Sequence, residues 1–129
     1  MANKIKMEVK LPVPPKVVYD AWLEGSKHAE MTNNPASCEP KVGYKFSAWD
    51  KYISGKNVEL IPNKKIVQLW RTTDFKESDK DSLLEINIEP TEKGCKLKLI
   101  HSEIPDDQPD YAEGWKEFYF VPMKEYFSK

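Results

Sequence analysis

Between residues 42 and 102, apolar and polar side chains alternate with a period of two, in short runs broken by tight polar turns. A strand sends successive side chains to opposite faces, so this pattern specifies strands with one apolar face. Tyr44, Phe46 and Ala48 alternate after a turn at Val42-Gly43, and Val58 and Leu60 share a face after Gly55. "IPNKK" at 61–65 reads as a hairpin turn into a strand over 66–71, and "FKESDKD" at 75–81 as a polar loop. Leu84, Ile86 and Ile88 line one face of the next strand. "PTEKG" at 90–94 turns the chain again, and Cys95, Leu97, Leu99 and His101 line the last strand. Consecutive short strands with tight connections form an antiparallel meander.

Such a sheet needs a partner layer over its apolar face. The first residues do not supply one: Ile5, Met7, Val9 and Leu11 alternate with Lys4, Lys6, Glu8 and Lys10, which predicts a further strand, stopped by Pro12, Pro14 and Pro15. Proline is tolerated where a helix starts, because its missing N–H has no partner there. A helix through Val17, Val18, Ala21 and Trp22 is therefore predicted, with Gly25 as its stop and a second short helix over Lys27–Met31. The cover comes from the tail, where seven of the fifteen aromatic residues fall between Tyr111 and Phe127. Tyr111, Trp115, Phe118, Tyr119, Pro122 and Tyr126 recur at helical spacings and so form one face of a helix. Asp106, Asp107 and Asp110 precede it, where free N–H groups and the helix dipole favour negative charge. Pro122 removes a hydrogen bond and predicts a kink or break near Phe118–Val121. The expected fold class is α+β: strand, two short helices, about five strands and a long C-terminal helix.

A chain of 129 residues is one domain's worth, 1–129, and long enough to bury a core. With 20 basic and 21 acidic residues it lacks the footprint of a nucleic-acid binder. No apolar run reaches the ~18 residues that span a membrane. The start, MANKIKMEV, has no apolar signal core, so a cytoplasmic protein is expected. Cys38 and Cys95 are then expected as free thiols, and nothing in their spacing suggests zinc. No metal and no cofactor is expected.

Three stretches carry a family resemblance. "YDAWLEGSKHAEMTNNPA" at 19–36, "SGKNVELIPNKKIVQLWR" at 54–71 and "GWKEFYFVPMKEYF" at 114–127 resemble the early helices, central hairpin and last helix of activators of the heat-shock protein 90 ATPase. Gly55, Pro62, Trp70 and the Gly114-Trp115 start recur among them, and the likeness spans about residues 5–127. It implies the helix-grip (START-like) fold, in which a curved antiparallel sheet wraps a long C-terminal helix. It also implies a non-catalytic module like the C-terminal domain of those activators, a co-chaperone that binds heat-shock protein 90 and modulates its ATPase. The wider fold is used to bind apolar small molecules. The alternative is therefore a cavity between sheet and helix, with Phe46, Val58, Leu60, Ile86, Leu99, His101, Trp115 and Tyr119 as candidate lining.

Residues able to carry chemistry are few. His28 and His101 are the two histidines, and His101 is predicted on the inward face of its strand. There it is either an acid–base group or a histidine bonded to backbone or water. No serine or cysteine adjacent in sequence completes a nucleophile–base pair, and Cys95 lies roughly 20 Å away along the strand. Glu103, Asp106, Asp107, Asp110 and Glu113 lack the spacing and glycine of a calcium loop and read as a solvated helix cap. No phosphate loop, H-E-x-x-H or G-x-S-x-G occurs, and no enzyme is expected. Trp70 and Arg71 must face opposite ways, in an order the pattern leaves open. Val67 and Leu69 alternate with Ile66 and Trp70, so that strand is apolar on both faces. Trp49, beside Asp50-Lys51-Tyr52 at a hairpin tip, is a candidate partner anchor. Lys51, Lys56, Lys64 and Lys65 are a candidate basic patch that would steer a partner, opposite the acidic 103–113 segment.

Overall fold

The computed structural model describes residues 3–106, 108 and 110–128. Of the residues named above, Asp107 lies outside them. The sheet has six strands: β1 (Asn3–Leu11), β2 (Lys45–Ala48), β3 (Ile53–Ile61), β4 (Lys65–Thr72), β5 (Ser82–Thr91) and β6 (Gly94–Ile104). Their order is β1-β6-β5-β4-β3-β2, and every neighbouring pair is antiparallel. This is the expected meander, with the first strand added beside the last. Helices α1 (Pro15–Leu23) and α2 (Gly25–Thr32) follow β1. Gly25 opens α2 rather than merely ending α1. A Cβ there would sit 2.9 Å from the Cys38 backbone nitrogen, so only glycine lets the 36–38 segment pass so close.

The tail is one continuous helical span in three parts: α3 (Tyr111–Trp115), a π-helical segment (Lys116–Phe120) and α4 (Val121–Phe127). The disruption predicted from Pro122 takes this form. The Val121 N–H bonds back five residues to the Lys116 carbonyl, and Pro122 falls in the first turn of α4, where it needs no donor. The buried stripe is Tyr111, Trp115, Tyr119, Met123 and Phe127, joined by Phe120. Phe118 is 55% exposed, and Pro122 and Tyr126 are half-buried, which corrects their place in the predicted face. A stripe repeating every four residues drifts around an α-helix, which turns once per 3.6 residues. The wider π turn opposes that drift and keeps the stripe on the sheet.

The core lies between this helix, α1 and the inward faces of all six described strands. Trp70 points into it and Arg71 points out. Arg71 organises the 75–81 loop by donating to the Lys76 and Asp79 carbonyls and to the Asp81 carboxylate, at 2.9, 3.1 and 2.9 Å. Phe75, in the loop read as polar, is buried under the Arg71 guanidinium.

Two backbone irregularities shape the sheet edge. A bulge between Asn57 and Glu59 inserts Val58 as an extra residue, so Asn57 and Leu60 both face inward while Val58 is left 44% exposed. Asn57 accepts burial because its amide donates to the Glu39 and Lys41 carbonyls and its oxygen accepts from Gln68. The β2–β3 turn carries three successive residues with left-handed backbone, Trp49, Asp50 and Lys51, at φ of 52°, 53° and 70°.

Candidate functional site

That turn and the start of the C-terminal helix face each other across an open cleft of about 520 Å³. Ligand sites typically fall in this size range. Trp49, Tyr52 and Ile53 come from the turn and the start of β3, Trp70 from β4, and Asp110, Tyr111, Glu113, Gly114, Trp115, Phe118 and Tyr119 from the helix and its cap. The rings brace one another. Trp49 and Phe118 meet edge to face at 5.3 Å between centroids, Trp70 and Tyr111 at 5.1 Å, and Trp115 stacks obliquely on Tyr119 at 4.9 Å. Asp110 caps the helix, its carboxylate accepting from the N–H groups of Ala112 and Glu113.

Behind the walls, most of the polar atoms of these rings are already engaged. Trp115 donates its indole N–H to His101 Nδ1 at 3.1 Å, so His101 carries its proton on Nε2 and donates it to Ser82 Oγ at 2.8 Å. Ser82 in turn donates to the Trp70 carbonyl at 2.6 Å. A second chain starts at Tyr119, whose hydroxyl donates to His28 Nε2 at 2.8 Å, while His28 Nδ1 donates to the Trp22 carbonyl at 2.9 Å. The Trp22 indole donates to Gln68, and Gln68 to Asn57. The Tyr111 hydroxyl donates to Gln108 and accepts from Thr72. Among the described residues, the Trp49 indole N–H is buried close to Tyr119 without a hydrogen bond of normal geometry, and of Trp70 only the backbone carbonyl is engaged here.

Burial sets the protonation of this interior. It pushes His101 down to about 3 and His28 down to about 4, so both rings are neutral at pH 7. Burial also raises the Tyr111 and Tyr119 hydroxyls and pushes the Cys38 thiol up to about 11. The fold brings Ser82 to His101, a pair with no counterpart in the local sequence, although the direction of its hydrogen bonds is wrong for a nucleophile. The ring donates to the hydroxyl instead of accepting its proton, and both side chains are fully buried. Among the described residues, no group of three or more His, Cys, Asp or Glu is placed to hold a metal ion, and no helix is long and apolar enough to cross a membrane.

The sequence candidates fall in different places. Trp115 and Tyr119 line the cleft. Ile86, Leu99 and His101 are fully buried and do not line it. Phe46 borders a gap of only about 10 Å³ between sheet and helix, because the helix rings fill the space an enclosed cavity would need. Leu60 is half-buried at the far end of β3, and the bulge puts Val58 outside, which corrects both as cavity lining. Trp49, the candidate partner anchor, forms a wall of the cleft. The candidate lysines are spread along one strand. Lys51 precedes β3, while Lys64 and Lys65 follow its nine residues, a separation of about 26 Å along the strand. Lys56 lies exposed between them, and Lys65 pairs with Glu59 at 3.4 Å.

Tyr52, Ile53, Asp110 and Glu113 line the cleft without having been singled out for it. Tyr52 and Ile53 were legible as neighbours of Trp49 in "WDKYI". Ser82 was recoverable by counting back from the 90–94 turn, which sets Leu84 opposite His101 and leaves Ser82 two residues along.

The family described as activator of Hsp90 ATPase homolog 1-like protein matches residues 12–128. The activator of 90 kDa heat shock protein ATPase homolog of Dictyostelium discoideum is 27% identical over 128 residues, which is 96% of this chain and 33% of that protein. The human homolog 1 is 27% identical over 127 residues, 96% of this chain and 37% of that protein. The chain thus spans about a third of the length of the curated relatives it matches. The crystal structure of an HSP90 activator from Plasmodium falciparum superposes with a TM-score of 0.76 at 27% identity, covering 94% of this chain and 91% of that one.

Proposed function

The chain belongs to the activator of Hsp90 ATPase homolog 1-like family, and from that premise we propose that it is a non-catalytic binding module that contacts the 90-kDa heat-shock chaperone in the cytosol and modulates its ATP hydrolysis. The family match across residues 12–128 carries this reading. The chemistry of the interior supports it. Both histidines are buried, neutral and bonded through both ring nitrogens, and Ser82 spends its proton on a carbonyl. Phe118 and the Trp49 turn put aromatic surface at one edge, the kind of group that anchors protein interfaces. Isothermal titration against the 90-kDa chaperone of the same organism, with and without an ATP analogue, tests the proposal. Saturable binding that tightens with the analogue, and a changed rate of ATP hydrolysis, are expected. No heat at high micromolar concentration together with unchanged hydrolysis would overturn it.

The cleft favours a second reading, in which the module takes a small molecule with an apolar body. Its size and aromatic walls support this. The expected sign is ligand-induced amide shifts confined to residues 49–53 and 110–119.

A further inference from the structure

The groups around the cleft differ from those of a simple apolar pocket. Its walls are Trp49, Tyr52, Trp115, Phe118 and their neighbours, and among the described residues the charged ones in its lining are Asp110 and Glu113, both acidic. Lys51 and Lys116, next in sequence to lining residues, do not line it. The Trp115, Tyr111, Tyr119 and Tyr52 polar atoms bond to His101, Thr72 and Gln108, His28, and Asp74 respectively. The walls therefore offer a neutral polar ligand no free hydroxyl among these four residues and, beyond them, the indole N–H groups of Trp49, which is buried, and Trp70. An anion would be repelled at the rim. A cation, by contrast, is attracted to the electron-rich faces of aromatic rings, and more strongly where water is excluded. Two carboxylates at the same mouth add attraction and steer its approach.

We propose that the cleft selects an organic cation with an apolar body, of the quaternary or alkylated ammonium class, whose charged head lies near Asp110 and Glu113 and whose body rests on the aromatic walls. This rests on the second reading above, that the cleft takes a small molecule, and it adds the sign of the charge. A quaternary head suits the site because it needs no hydrogen-bond acceptor from the walls, and Asp110 already uses one carboxylate oxygen to cap the helix.

The test uses two probes of one shape: 4-(trimethylammonio)benzyl alcohol and its neutral carbon isostere, 4-tert-butylbenzyl alcohol. Each is titrated into the full chain while amide shifts and tryptophan fluorescence are followed. The cation is expected to bind about tenfold more tightly than the isostere, with shifts at residues 49–53 and 110–119. The double variant Asp110→Asn/Glu113→Gln keeps shape, and asparagine keeps the helix cap. It is expected to bind the isostere as before and to lose most of the preference for the cation. In the unmodified protein, added salt is expected to weaken the cation and leave the isostere unchanged. Equal or tighter binding of the isostere overturns the cation proposal and leaves the cleft reading standing. No shift at these residues with either probe overturns both. A cation preference that survives the double variant and high salt overturns the role of the two carboxylates.

Discussion

His28 and His101 are held neutral inside the protein, and acid must work against that. In the unfolded chain each has the ordinary value near 6.5, while in the fold burial lowers them to about 4 and about 3. The unfolded state therefore binds protons first as pH falls. The stability these rings allow is complete above about 6.5 and is lost as pH drops toward the folded values. At pH 5.0 the loss relative to pH 7.5 is about 2 kcal/mol for each ring. Urea unfolding at the two pH values is expected to show it as a lower midpoint at pH 5.0. His101→Phe should remove roughly half of that pH dependence. It should also cost about 1–3 kcal/mol at pH 7.5, because the buried Trp115 N–H loses its acceptor. None of this was legible in the sequence, which set His101 on the inward face and stopped there. Its partners lie 19 and 14 residues away, and only strand register and helix placement bring them to it.

Among the elements, strand periodicity was legible and irregular backbone was not. The alternation of 84–88 and 95–101 names the inward faces of β5 and β6 correctly, because both strands are regular and bury one face. The same rule misplaced Val58, since a bulge adds a residue and resets the alternation. Gly55 pairs with Trp70 on the inward side of that irregular strand. A Cβ there would lie 2.8 Å from Phe46 Cζ and closer still to the Leu69 carbonyl oxygen, which belongs to the paired backbone. Gly55→Ala is thus expected to destabilise by about 3 kcal/mol or more, seen as a collapse of the urea midpoint. The opposite sign is expected at Lys51, one of three successive left-handed residues. Each such residue costs roughly 1–2 kcal/mol when it is not glycine. Lys51→Gly should recover about 0.5–1 kcal/mol after the added freedom of the unfolded chain is counted.

For the whole molecule, the fold class was readable because every level agreed: strand runs, helix starts at proline, and one aromatic tail with nothing but the sheet to cover. The cleft was not, because it depends on how far the tail helix fills the sheet, and that depends on a π segment and a left-handed turn with no simple sequence signature. The strand order adds one more expectation. β1 caps the β6 edge, so a chain beginning at Pro12 should expose an unpaired strand and aggregate on warming, which light scattering would register. The same pairing has a consequence during synthesis. Ile5 faces His101 across the sheet, so the first strand leaves the ribosome about 96 residues before its partner exists. At ~5–20 residues per second that is roughly 5–20 s with Val9 and Leu11 uncovered, while β2 to β5 can pair with near neighbours as they emerge. β1 must wait for β6 before it can pair, and during that interval the nascent chain depends most on whatever shields apolar segments in the cell.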